Sequence, residues 1–283
     1  MSELQALVEN AGYNELRYLD PVFPTRPLLL YSARPRHYDD NTPILFSVHG
    51  RSRNGRDYRD YWRDLVDETG MLVISPEFSM ECYPGAAWFQ HGNLIDEAGR
   101  LDPARPCTFP IVERLFGALR SQGVTGRRRY GLFGHSAGSQ YVHRMISLGH
   151  AASVAAAVPA NGGTFLMPNL DIDYPYGLGG LGLGTDDLRK LLAFRLTVMA
   201  GTADVDVANP YFPKDPVSMQ QGATRYERGH RYIRAARAAA DQLGMHCAWT
   251  IIDVPGVAHE GDRMAQAAAH LLAAALHASE NGR

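Results

Sequence analysis

Cysteine is scarce in this 283-residue chain: there are three, Cys82, Cys107 and Cys247. None stands in a CxxC pair or at a Cys/His ligand spacing, so neither a zinc site nor a disulfide framework is expected. Three reduced thiols are the expectation, with a Cys82–Cys107 pairing as the alternative because both lie in one loop-rich stretch. No charge of one sign dominates either: 28 Lys and Arg stand against 30 Asp and Glu, a formal net charge of -2. Such a balance provides no global field to recruit nucleic acid or an anionic membrane, and a small-molecule partner is expected. No run approaches the roughly 18 uninterrupted apolar residues needed to span a bilayer. The first twenty residues, MSELQALVENAGYNELRYLD, lack the basic start and apolar run of a secretory signal. A cytoplasmic location is therefore expected, unless a leader has been removed. Repeats of 20 to 50 residues and sustained heptads are also missing, which excludes solenoids and coiled coils.

What is present is an alternation. Short apolar runs at 27–32, 44–48, 71–75, 130–133, 152–158, 195–200 and 247–254 read as strands buried in a sheet. Between them, apolar residues recur at helical spacing: Tyr58, Tyr61, Trp62 and Leu65 before Gly70; Ile111 to Leu119 before Gly123; 139–149; Tyr232 to Leu243; and Met264 to Ala275. The fold class is therefore α/β, a mostly parallel sheet with helices on both faces, because parallel returns need crossovers. Early residues are expected to add antiparallel strands at one edge. The chain reads as a single domain over 1–283, with long loop insertions at about 77–108, 159–187 and 205–225. Loops of that length tend to serve as lids or binding loops. Arg127 to Arg129 read as a solvated strand entry.

Gly134-His135-Ser136-Ala137-Gly138 matches G-x-S-x-G, in which glycines let a strand turn sharply into a helix and expose the serine. Chance supplies about 0.2 such matches in a chain of this composition, so the motif alone decides little. Its position between the strand YGLF and an apolar helix is what the turn requires, against the plain alternative of a tight glycine turn. A serine hydroxyl needs a base within hydrogen-bond reach and a carboxylate to orient that base. After the strand 195–200 comes Gly201-Thr202-Ala203-Asp204, and Asp204 is the candidate acid, with Asp206 the fallback. After the last strand comes His259, the candidate base among eleven histidines, chosen by the order Ser, Asp, His. His91, His135 and His143 read instead as pocket, turn and helix residues.

Negative charge on a tetrahedral intermediate needs fixed backbone donors. Ala137 supplies one by position. His49-Gly50-Arg51-Ser52, following the strand 44–48, resembles an esterase oxyanion turn, with Arg51 as the second donor ahead of Ser52. In sum, HGRS, GHSAG, GTAD and GVAHE in this order resemble the α/β-hydrolase superfamily over nearly the whole chain. The short HG turn is similar to the esterase and polyhydroxybutyrate-depolymerase-like branch; the chain departs from that branch's secreted members in carrying Arg51 where they have Cys.

The reading implies cleavage of a carboxylic ester through an acyl-enzyme, a small-molecule ester substrate, and neither cofactor nor metal. Serine peptidase or acyltransferase chemistry uses the same four features, and a noncatalytic hydrolase-fold binding protein is the alternative outside enzymes. Dehalogenation would want Asp at position 136. Trp88, Phe165 and Tyr211, one in each long loop, are the expected substrate-pocket residues. Oligomeric state is left open.

Overall fold

The computed structural model describes residues 3–96 and 98–279. Eight strands form one sheet in the order β1-β2-β4-β3-β5-β6-β7-β8. They are β1 (Gly12–Tyr18), β2 (Leu28–Arg34), β3 (Ile44–Val48), β4 (Leu72–Glu77), β5 (Tyr130–His135), β6 (Val154–Ala160), β7 (Thr197–Gly201) and β8 (Thr250–Val254). β1 pairs antiparallel with β2, and β2 with β4; every remaining pair is parallel. The mixed sheet with its antiparallel edge is the one expected from the alternation.

The helices are α1 (Gly55–Asp60), α2 (Val66–Thr69), α3 (Gly85–Trp88), α4 (Pro110–Ser121), α5 (Ala137–Ser147), α6 (Thr185–Ala193), α7 (Pro216–Gln220), α8 (Arg225–Gln242) and α9 (Gly261–Ala278). Adjacent strand residues point to opposite faces, and both faces are covered, which is why the strands read as unbroken apolar runs. Phe46, Ile74 and Leu132 pack on one face with Tyr141, Val142 and Met145 of α5. Leu45, Val73 and Phe133 pack on the other with Met264, Ala268 and Leu272 of α9.

Two local expectations differ. The apolar spacing from Tyr58 to Leu65 is not one helix: Tyr58 lies in α1, and Tyr61, Trp62 and Leu65 lie in the turns that lead to α2. Arg127 is buried rather than solvated, its guanidinium bonding the carbonyls of Asn41 and Leu276. The three cysteines stand free, and no helix among the described residues is long and apolar enough to cross a membrane.

Because β3, β5, β7 and β8 run parallel, their carboxyl ends open on one edge of the sheet. α/β sites gather at that edge, and the four motif segments follow these four strands.

Candidate active site

Ser136 follows β5 with φ 58° and ψ -115°, a conformation that L residues seldom adopt. The glycines on either side make it possible by close approach: a Cβ at Gly134 would lie 2.4 Å from the Gly138 carbonyl oxygen, and one at Gly138 would lie 2.1 Å from that of Val48. The elbow thus jams α5 against the end of β3, and the serine is lifted off the strand.

Asp204 and His259 reach Ser136 from the β7 and β8 ends. His259 Nε2 is 2.8 Å from Ser136 Oγ, and His259 Nδ1 is 2.7 Å from Asp204 Oδ2. Asp204 is 1% exposed, and its second oxygen is 3.4 Å from Arg225 Nη1 at the start of α8. A hydroxyl in line with an imidazole that is itself held by a carboxylate can be made nucleophilic as its proton leaves. Asp206, the fallback, lies outside this line: its Oδ1 accepts from the Ala208 amide at 2.8 Å.

Asn161 joins the two loops. Its Oδ1 accepts from Gly201 N at 2.8 Å, and its Nδ2 donates to the Ala258 carbonyl at 2.9 Å, one residue before His259. Its positive φ of 49° is one asparagine tolerates. Nothing in the sequence singled it out; an Asn directly after an apolar strand was the available signal.

The segment after β3 is anchored from below. His49 Nε2 accepts from Phe78 N at 2.9 Å, while its Nδ1 faces the Gly50 carbonyl at 2.9 Å. Burial holds its pKa down at about 3, so it stays neutral. Arg53 donates to the carbonyls of Phe78 and Gly85 at 2.6 and 2.8 Å. The amides of Arg51 and Ala137 make no backbone hydrogen bond among the described residues. Both border the cavity that holds Ser136 and His259, a cleft of about 450 Å³, within the usual size of small-molecule sites. A cleft of about 480 Å³ between Met167–Ile172 and α8 contains no hydroxyl–imidazole pair.

No protein-family model matches the chain, and no curated protein matches it. Solved structures do. A poly(3-hydroxybutyrate) depolymerase, LpqC, from Bordetella parapertussis is 35% identical, with a TM-score of 0.89 over 95% of this chain and 92% of that one. Poly(aspartic acid) hydrolase-1 from Sphingomonas sp. KT-1 is 33% identical, with a TM-score of 0.87 over 93% and 99%. The chain belongs to the α/β-hydrolase superfamily, in its esterase and polyhydroxybutyrate-depolymerase-like branch. It is a hydrolase. The MPT51 protein of Mycobacterium tuberculosis, 14% identical at a TM-score of 0.61 over 94% and 100%, shares the fold.

In this α/β-hydrolase the three long loops contribute unequally to the cleft. Tyr211 lines it, 60% exposed, with the Arg51 guanidinium 3.6 Å above its ring. Trp88 and Phe165 do not reach it, against expectation. Trp88 packs on Phe23 and Tyr83 under Arg26, and Phe165 stacks on Tyr232 and His143 in the core. Both rings pin their loops to the body, since burial of a large apolar surface outweighs exposure at a wet rim. Gln90 and Gly163 are what those loops present instead. His91, also expected at the pocket, packs against Tyr174. The lining is polar: Asn54, Gln90, Gln140 and Asn209 join Arg51 and Arg225, and among the described residues no carboxylate lines it.

Proposed function

We propose that the protein is a serine hydrolase that cleaves carboxylic esters through an acyl-enzyme. Ser136 is the nucleophile, His259 takes its proton and returns it to the leaving alcohol, and Asp204 holds the imidazole tautomer. The amides of Arg51 and Ala137 meet the oxyanion. Water, activated by the same imidazole, then releases the acid. The observation that carries this reading is the unbroken series Asp204–His259–Ser136, at 2.7 and 2.8 Å, facing an open cleft. Nucleophile, base and charge stabilisation are all supplied by the chain, so the reaction draws on no cofactor.

The polymers named for the two similar hydrolases bracket the substrate: one is a neutral polyester, the other an anionic polyamide. The cleft favours an ester with a carboxylate close to the scissile bond. Arg51 lines the cleft and forms no ion pair among the described residues. A noncatalytic binding role would leave the alignment of three reactive groups unexplained.

The test is pre-steady-state hydrolysis of p-nitrophenyl butyrate and of the p-nitrophenyl monoester of succinic acid, with succinic mono-p-nitroanilide as the amide control. A burst of one nitrophenolate per active site, with the succinyl ester preferred, is expected. Cleavage of the anilide at rates rivalling the esters would move the assignment to an amidase.

A further inference from the structure

One side chain outside the proposed triad touches three of the four segments that build the site. The Tyr58 hydroxyl, on α1, is 3.0 Å from His135 Nδ1, the residue before the nucleophile. It also packs on Gly50, so tightly that a Cβ at Gly50 would stand 2.7 Å from the phenolic oxygen. Gly261, two residues beyond His259, closes the group: a Cβ there would lie 3.1 Å from His135 Nδ1 and 3.4 Å from Tyr58 Oη. Tyr58 and His135 are both buried, and the His135 ring lies against that of His259 with centroids 4.6 Å apart.

A phenol has one proton to give. The Tyr58 hydroxyl and His135 Nδ1 share one hydrogen bond, and His135 Nε2 is buried with no partner among the described residues. Burial keeps both groups neutral: it drives the His135 pKa well below the ordinary histidine range, helped by His259 and Arg225, and it raises that of Tyr58. A buried, neutral pair takes no part in proton transfer. Its hydrogen bonds act on position.

We propose that Tyr58 and His135 form a hydrogen-bonded pin that fixes the Gly50–Arg51 peptide relative to Ser136, holding the Arg51 amide where the oxyanion develops. Tyr58 is thus a positioning residue. Donors to an oxyanion matter more in the transition state than in the bound substrate. Loosening them by a fraction of an ångström should lower kcat and spare KM. If Tyr58 served packing alone, its ring would suffice, since its contacts with Tyr61 and His49 are aromatic and survive in phenylalanine.

The inference rests on the esterase reading, and the experiment separates the two. Wild type, Tyr58→Phe, His135→Leu and His135→Asn are compared for kcat, KM, melting temperature and inhibition by a trifluoromethyl ketone, whose adduct on Ser136 places an oxyanion in the site. Tyr58→Phe and His135→Leu should each lose roughly 10- to 100-fold in kcat, with KM within about two-fold and ketone affinity lowered in step. His135→Asn, which keeps an acceptor for the phenol, should recover part of the loss. The double variant Tyr58→Phe/His135→Leu should be no worse than the poorer single one, because both break one unit.

Ester turnover by wild type with an unchanged kcat in folded Tyr58→Phe overturns the pin. Absence of ester turnover by wild type overturns the esterase reading instead. The pin is then decided by the rate of fluorophosphonate labelling at Ser136, which must fall in Tyr58→Phe for it to stand. Should Tyr58→Phe fail to fold, His135→Leu against His135→Asn decides: equal rates overturn the pin.

Discussion

Arg225 Nη1 stands 3.4 Å from Asp204 Oδ1, the carboxylate oxygen that His259 leaves free. The acid of the proposed triad is thus buried between an imidazole and a guanidinium. Asp204→Asn should lower kcat by about 10³- to 10⁴-fold, because the amide favours the wrong imidazole tautomer. Arg225→Met should cost about 2–4 kcal/mol of stability by leaving the carboxylate without its cation. Asp206→Asn should change either quantity by less than about 0.5 kcal/mol, since that side chain only closes an exposed turn. Steady-state kinetics and urea titrations of the three variants check this. A damaging Asp206→Asn beside a mild Asp204→Asn would transfer the acid role.

The Arg51 side chain, as distinct from its amide, should set charge preference. Its guanidinium rests on Tyr211 at the cleft rim, facing solvent. Arg51→Gln should cut kcat/KM for the succinyl ester about 5- to 10-fold more than for the neutral butyrate, in keeping with roughly 1 kcal/mol for a partly solvated charge contact. The wild-type preference should also shrink between low and high salt. Equal losses on both esters would remove the anionic substrate from the assignment.

Acid should destabilise the fold through buried histidines. Burial lowers the pKa of His49 to about 3 and those of His135 and His143 well below the ordinary 6.5, with Arg53, His259 and Arg144 as the respective positive neighbours. Below about pH 6.5 the unfolded chain binds protons at these positions while the folded one does not, so unfolding takes up protons. Stability is therefore complete above about 6.5 and falls as pH drops toward 3, by up to about 4 kcal/mol per pH unit for three sites. Urea midpoints measured from pH 8 to pH 4.5 should fall only below neutrality; a flat profile would contradict buried neutral imidazoles.

Much of this was legible in the sequence for identifiable reasons. The strands β3 to β5 are buried on both faces and so appear as unbroken apolar runs, and the elbow is written in two glycines that a Cβ would jam. The order of Ser136, Asp204 and His259 could be read because each follows its own strand. An early antiparallel edge was expected, but the bounds of β1 escaped because GYNELRY is an edge strand with exposed Tyr13, Glu15 and Arg17. α6 fell beside a glycine-rich loop whose end masked its start at Thr185. Asn161 and Tyr58 act across loops far apart in the chain, and no local pattern announces a hydrogen bond of that kind. Trp88 and Phe165 were misplaced because apolarity says that a loop residue will be covered, and not on which side.

Mass-spectrometric mapping of a fluorophosphonate adduct, run with ester hydrolysis on wild type and Ser136→Ala, tests the central assignment most directly. A single adduct on Ser136 is expected, with hydrolysis in Ser136→Ala falling by about 10⁵- to 10⁶-fold and its melting temperature within a few degrees of wild type. An adduct elsewhere, or ester turnover that survives in folded Ser136→Ala, would contradict it.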